Sequence, residues 1–184
     1  MLLQWERFAG WKVMRHFLEH PSQEVHARAI SRMTKLSPRS THIYCGIYEK
    51  DGLLVSERKA NAKMLRLRNG SPAVAALKKF YFLEKLQEMH MAENAAGRNP
   101  KMISLALYGS YASGEYDEQS DVDILVLSDT KADRQPFVKL QSVLGKNVQL
   151  TELPLAEWIG MKNRKDAFAL SVLANNVVLY GARL

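Results

Sequence analysis

The run Leu107-Tyr108-Gly109-Ser110-Tyr111-Ala112-Ser113-Gly114, continued by Ser120-Asp121-Val122-Asp123, limits what this chain can fold into more than any other segment. Ile103 to Tyr108 reads as a short apolar strand that runs into Gly109. Glycine permits a tight turn there and lets the backbone come close to a ligand. Ser110 then opens a short helix, whose free N–H groups and dipole favour an anion. The chain returns as a second strand, Asp121 to Leu127, on which Asp121 and Asp123 project from one face. Two ionised carboxylates side by side repel each other. They make sense as holders of a divalent cation, because magnesium prefers one or two carboxylates together with phosphate oxygens.

Strand, Gly-Ser turn, helix and Asp-x-Asp strand together resemble the motif of the DNA polymerase β-like nucleotidyltransferases. Ala112, Gly114 and Ser120 also resemble its minimal branch, related to kanamycin nucleotidyltransferase. The resemblance covers residues 101–180. It implies that Gly109 and Ser110, with Ser120 nearby, hold a nucleoside triphosphate, and that Asp121 and Asp123 are the catalytic carboxylates and bind magnesium or manganese. It implies transfer of a nucleoside monophosphate to an acceptor: an RNA end, a protein side chain or a small molecule. One position departs from the pattern. Active members place a third carboxylate on the next long strand, here Asn147 to Leu153. With Val148 and Leu150 facing the helices, Gln149 and Thr151 face the site, so an amide stands where the acid is expected. Glu152 reaches the site only through a bulge or a register shift.

The remainder of this half reads as a helix over 134–144, a strand over 147–153, a helical segment over 155–174 and a final strand from Val177 to Tyr180. This is a small α/β unit, and we expect a mixed sheet with helices on one face.

The first half differs in charge. Residues 1–70 hold 13 Lys and Arg against 6 Asp and Glu, whereas residues 101–184 hold 9 against 10. Such asymmetry is what a nucleic-acid-binding segment joined to a neutral domain shows. Trp11, Met14, Phe17 and Leu18 stripe a helix over 9–19, and Ala29, Ile30 and Met33 a second over 24–34. Ser37 and Pro38 form an N-cap and first helical position for a third, with Ile43, Tyr44, Ile47 and Tyr48 inward. Leu53 to Val55 and Met64 to Leu67 follow as strands, flanking a polar loop over 56–63. Residues 11–68 thereby resemble a winged helix-turn-helix. That resemblance puts Arg39, Ser40 and His42 at DNA base edges and Arg58, Lys59 and Lys63 on phosphates. The alternative use of the same fold is protein contact or dimerisation.

Residues 72–94 read as one long helix with too many apolar residues for a single stripe, suited to packing between domains or to a homodimer. The expected organisation is α+β: a winged helix-turn-helix over 1–70, a linker helix over 71–97 and a nucleotidyltransferase-like domain over 98–184. At 184 residues and 47% apolar content the composition is that of a globular protein. No run is long and apolar enough to span a bilayer, and no signal-peptide pattern opens the chain, so no membrane partner and a cytoplasmic location are expected. The single cysteine, Cys45, has no internal disulfide partner. Two functions remain in play: a nucleotidyltransferase with a nucleic-acid-binding domain, or a DNA-binding regulator whose second domain senses nucleotide or dimerises.

Overall fold

The computed structural model describes residues 7–60 and 62–184. The start of the amphipathic N-terminal run and Asn61 of the expected polar loop lie outside the described residues. The chain divides into two compact units, up to Tyr81 and from Phe82 onward.

The first unit contains α1 (Ala9–Glu19), β1 (Val25–His26), α2 (Ala27–Thr34), α3 (Pro38–Lys50), β2 (Leu54–Lys59) and β3 (Ala62–Leu67). Its core gathers Trp11, Val13, Met14, Phe17 and Leu18 from α1 with Ile30, Leu54, Leu65 and Leu67. The second helix begins at Ala27, later than the sequence suggests, because Val25 and His26 pair antiparallel with Leu65 and Met64. The polar stretch expected as a loop is mostly strand: β2 and β3 pair from Leu54↔Leu67 out to Lys59↔Ala62. Cross-strand hydrogen bonding holds these exposed polar residues without needing an apolar face.

The stripe of α3 is rotated from the expected one. Thr41 and Cys45 are buried and Tyr44 and Tyr48 half-buried, while Ile43 and Ile47 are exposed. Gly10 explains the rotation. A Cβ there would lie 2.8 Å from the Tyr48 hydroxyl and 2.9 Å from the Tyr44 ring, so α1 approaches α3 through its glycine and draws the tyrosines inward. The Thr41 hydroxyl is satisfied by the carbonyl of Ser37 at 3.1 Å, which makes its burial inexpensive.

The long helix is two: α4 (Pro72–Glu88) and α5 (Met91–Arg98), parted at His90, whose φ is 49°. The surplus of apolar residues on α4 has a simple origin. Val74, Leu77, Phe80 and Tyr81 belong to the core of the first unit, and Phe82, Leu83 and Leu86 to that of the second.

The second unit continues with β4 (Met102–Tyr108), α6 (Gly109–Ser113), β5 (Val122–Ser128), α7 (Gln135–Leu144), β6 (Val148–Leu153), α8 (Leu155–Asn163), α9 (Ala167–Ala174) and β7 (Asn176–Gly181). The sheet order is β6-β5-β4-β7, with β5 and β6 parallel and the other pairs antiparallel. Helices cover both faces, not one. Val122, Ile124 and Val126 pack in a core with Ala95 and Leu140, from α5 and α7. Leu125 and Leu127 pack instead with Trp158, Ala169 and Val172, from α8 and α9. The middle of β5 is apolar at every position, so both of its sides require cover. Among the described residues no helix is long and apolar enough to cross a membrane.

Candidate functional site

The strand period fixes the composition of the site. Asp123 lies on the side of β5 that carries Leu125 and Leu127, parallel pairing sets Gln149 beside Asp123 and Thr151 beside Leu125, and Asp121, the residue directly before β5, is joined to Gln149. Tyr108, the last residue of β4, pairs with Asp123 from the other flank. Its hydroxyl lies 3.0 Å from the Thr151 hydroxyl, and its ring meets Phe168 edge-on at 5.6 Å. Tyr108 was not singled out from the sequence as a site residue. Its place directly before the glycine turn was the available signal.

Gly109 has φ of 70°, and a Cβ there would come within 2.5 Å of Asp123 Oδ2. The turn thus admits no side chain where the carboxylate sits. The Ser110 carbonyl accepts the amides of Gly114 and Glu115, closing α6, while the Ser110 hydroxyl makes no hydrogen bond among the described residues. Ser120 is engaged: its hydroxyl donates to Asp117 Oδ1 and accepts from the Asp117 amide, each at 2.9 Å. That closed loop delivers the chain to Asp121.

The electrostatics around the two aspartates are anionic. Burial, then the charge of Asp121, raises the Asp123 carboxyl above the ordinary carboxylate range. Burial, with Asp117, Asp121 and Glu118 adding to it, pushes Tyr111 up to about 12. Gln149 Nε2 donates to Asp121 Oδ2 at 2.6 Å, and among the described residues no other side chain hydrogen-bonds or ion-pairs with either aspartate. Glu152 is turned away. Its carboxylate accepts the Ala132 amide at 3.0 Å and pairs with Arg134 at 2.8 Å. β6 has no bulge against β5, so the amide, not Glu152, stands with the aspartates. Among the described residues no group of three or more His, Cys, Asp or Glu is placed so that it could hold a metal ion by itself. A cavity of about 670 Å³ between α5 and α7, lined in part by Arg98, Arg134 and Lys139, lies on the opposite side of the sheet and is separate from the aspartates.

Residues 91–170, which hold the whole of this arrangement, match the nucleotidyltransferase domain family. A relative from Methanocaldococcus jannaschii, named a protein adenylyltransferase, is 34% identical over 84 residues, covering 46% of this chain and 81% of that protein. The chain belongs to the nucleotidyltransferase family. A second relative of the same organism and name is 31% identical over 87 residues, covering 46% of this chain and 60% of that protein. Among solved structures, a toxin–antitoxin with AMP-PNP shares 23% identity over 52% of this chain and 74% of that one, with a TM-score of 0.38. A structure named as a nucleotidyltransferase from Sulfolobus solfataricus shares 22% over 61% of this chain and 91% of that one, at 0.35.

As a nucleotidyltransferase domain, the second unit fits a divalent cation on its own chemistry. Two oxygen-donor carboxylates are adjacent, one of them is hindered from ionising by burial and then by the charge of the other, and no cation among the described residues pairs with either.

The residues expected to meet nucleic acid lie on the first unit. Arg39 and His42 are exposed on α3. Ser40 is tied into the helix cap, its amide donating to Ser37 Oγ at 3.0 Å and its hydroxyl accepting from the same atom at 2.9 Å. Arg58 is exposed on β2. Lys59 and Lys63 are paired with Glu24 and Glu49.

Proposed function

We propose that the protein transfers adenosine monophosphate from ATP to a hydroxyl of a protein acceptor, releasing pyrophosphate. The observation that carries this reading is the seating of the Asp123 carboxylate against Gly109, with the charge of Asp121, the residue directly before β5, acting on it. The names of the related archaeal proteins suggest both the nucleotide and the acceptor class. In this reading Gly109 and the free Ser110 hydroxyl receive the triphosphate tail, and Ser120 holds the loop that positions Asp121. Asp121 and Asp123 hold magnesium or manganese, which polarises the α-phosphate and offsets its charge when bound. The remaining contribution of the chain is positioning. Tyr108 and Thr151, hydrogen-bonded across β5, form the floor on which the aspartates stand.

The test is calorimetry of ATP binding with and without magnesium, together with incorporation of labelled AMP into proteins of a cell extract. Both signals should need magnesium and vanish in Asp121→Ala/Asp123→Ala. Binding that persists unchanged in the double variant places the nucleotide elsewhere.

The Gln149–Asp121 hydrogen bond favours a second reading, in which transfer is weak and the domain serves a DNA-binding regulator as a nucleotide sensor. Both readings give the first unit the same role. Its order of elements, three helices and a hairpin with β1 joined to β3, supports a winged helix-turn-helix bound to DNA, with Arg39 and His42 toward bases and Arg58 toward phosphate. Lys59 and Lys63 would reach phosphates only by exchanging their glutamates, a small cost for exposed pairs.

A further inference from the structure

The outward face of α3 carries an apolar stripe that folding does not use. Ile43 and Ile47 are 49% and 43% exposed, one helical turn apart. Arg39, His42, Gly46 and Lys50 share that face and are exposed too. Gly46 leaves a gap between the isoleucines, for nothing lies within 4 Å of where its Cβ would be. A glycine in mid-helix weakens the helix, so its position here suits close approach of the backbone to something else. The charge around the stripe indicates what that is. Between Val25 and Tyr48 the chain has Arg28, Arg32, Lys35 and Arg39 and no aspartate or glutamate. A helix face that is apolar in the middle, begins in an acid-free cationic segment and ends at Lys50, between Glu49 and Asp51, complements at its N-terminal and central part a polyanion with apolar groups at its centre. The DNA major groove is such a surface, and the thymine methyl is the apolar group on its base edges.

We propose that α3 reads duplex DNA through thymine, with Ile43 and Ile47 against thymine 5-methyl groups and Arg39 on a neighbouring guanine. The proposal rests on the reading of the first unit as a DNA-binding winged helix. Ser40, tied into its cap, takes no part in the readout. Lys50 closes the stripe toward the phosphates.

The experiment uses the full chain. Duplexes enriched by the protein from a randomised library are resynthesised with deoxyuridine for thymidine, which removes only the methyl. Affinities at low salt are then measured by fluorescence anisotropy for the natural protein and for Ile43→Ala/Ile47→Ala. Both side chains are exposed, and thermal melting confirms that the variant folds. Enriched sites should contain thymine beside guanine. Each contacted methyl removed should weaken the natural protein about four-fold and leave the variant unaffected. Equal weakening of both proteins by deoxyuridine overturns the proposal. So does a variant that binds the enriched duplexes as tightly as the natural protein, which would assign the stripe to a protein partner. Absence of duplex affinity in the natural protein at low salt overturns the DNA-binding reading itself and this proposal with it, an outcome distinct from the other two.

Discussion

The side-chain amide of Gln149 donates to Asp121 Oδ2 at 2.6 Å, across the parallel pair β5–β6. This bond occupies one oxygen of a carboxylate that has no other side-chain hydrogen bond or ion pair among the described residues. It also puts a neutral group where a third anionic ligand would complete a two-metal arrangement. Removal of one such group typically costs on the order of 10²-fold in rate. Gln149→Asp is therefore expected to raise the rate of labelled-AMP transfer about 10²-fold. A variant no faster than the natural protein would show that the amide is not what limits the reaction.

Glu152 serves as the control for that experiment. Burial pushes its carboxyl up, but the Ala132 amide and Arg134 together outweigh this and hold it below the ordinary range. A lowered folded-state value means the bonds stabilise the protein above about pH 4.5 and are lost as pH falls through the lowered value. Glu152→Gln should lower stability by about 1 kcal/mol at neutral pH, since one accepting oxygen survives and the Arg134 pair is partly exposed. AMP transfer should be unchanged. Transfer abolished in a variant that still melts cooperatively would make Glu152 a participant and refute its assignment to the opposite face.

Gly109→Ala tests the contact between the turn and the carboxylate. The substitution meets both a positive φ and Asp123 Oδ2 at 2.5 Å. Strain of this kind costs about 1–3 kcal/mol. We expect a lower melting temperature and a loss of magnesium-dependent ATP binding, because Asp123 must move to make room. Natural binding and natural stability in the alanine variant would be incompatible with this geometry.

His16 gives the first unit a pH dependence. It is buried in α1, its Nε2 has no hydrogen-bond partner among the described residues, and burial, then the charge of His20, lowers its pKa below the usual 6.5, with Glu19 opposing. The unfolded chain therefore binds the proton more readily. The stability is fully present above about pH 6.5 and is lost as pH falls from there toward the lowered folded-state value. Urea midpoints followed by far-ultraviolet circular dichroism should drop between pH 7 and pH 5, and His16→Phe should flatten the drop. A natural protein with the same midpoint at both values would contradict the burial of a neutral imidazole.

Much of the candidate site was legible because strand geometry is local. Alternation alone puts Asp123 with Leu125, and Gln149 with Thr151, since successive side chains take opposite faces whatever the rest of the molecule does. Helix periodicity determines less. Along α3 the isoleucines and the tyrosines are both spaced for a stripe, and hydropathy favours the isoleucines. The outcome depended on Gly10, far away in sequence, whose missing side chain brings α1 onto Tyr44 and Tyr48.

By itself the sequence determined what depends on a few adjacent residues: the Gly-Ser turn, the paired carboxylates, the Ser37 cap and the order of most helices and strands. Tertiary structure decided what depends on distant ones. His26 left the expected helix because Met64 was there to pair with it. β5 took helices on both faces because Trp158, Ala169 and Val172 came back to cover Leu125 and Leu127. Glu152 was held from the aspartates by Ala132 and Arg134. Local rules follow from backbone geometry, which every residue carries with it. Partners across the fold become available only when separate segments pack, and no short stretch of sequence contains that information.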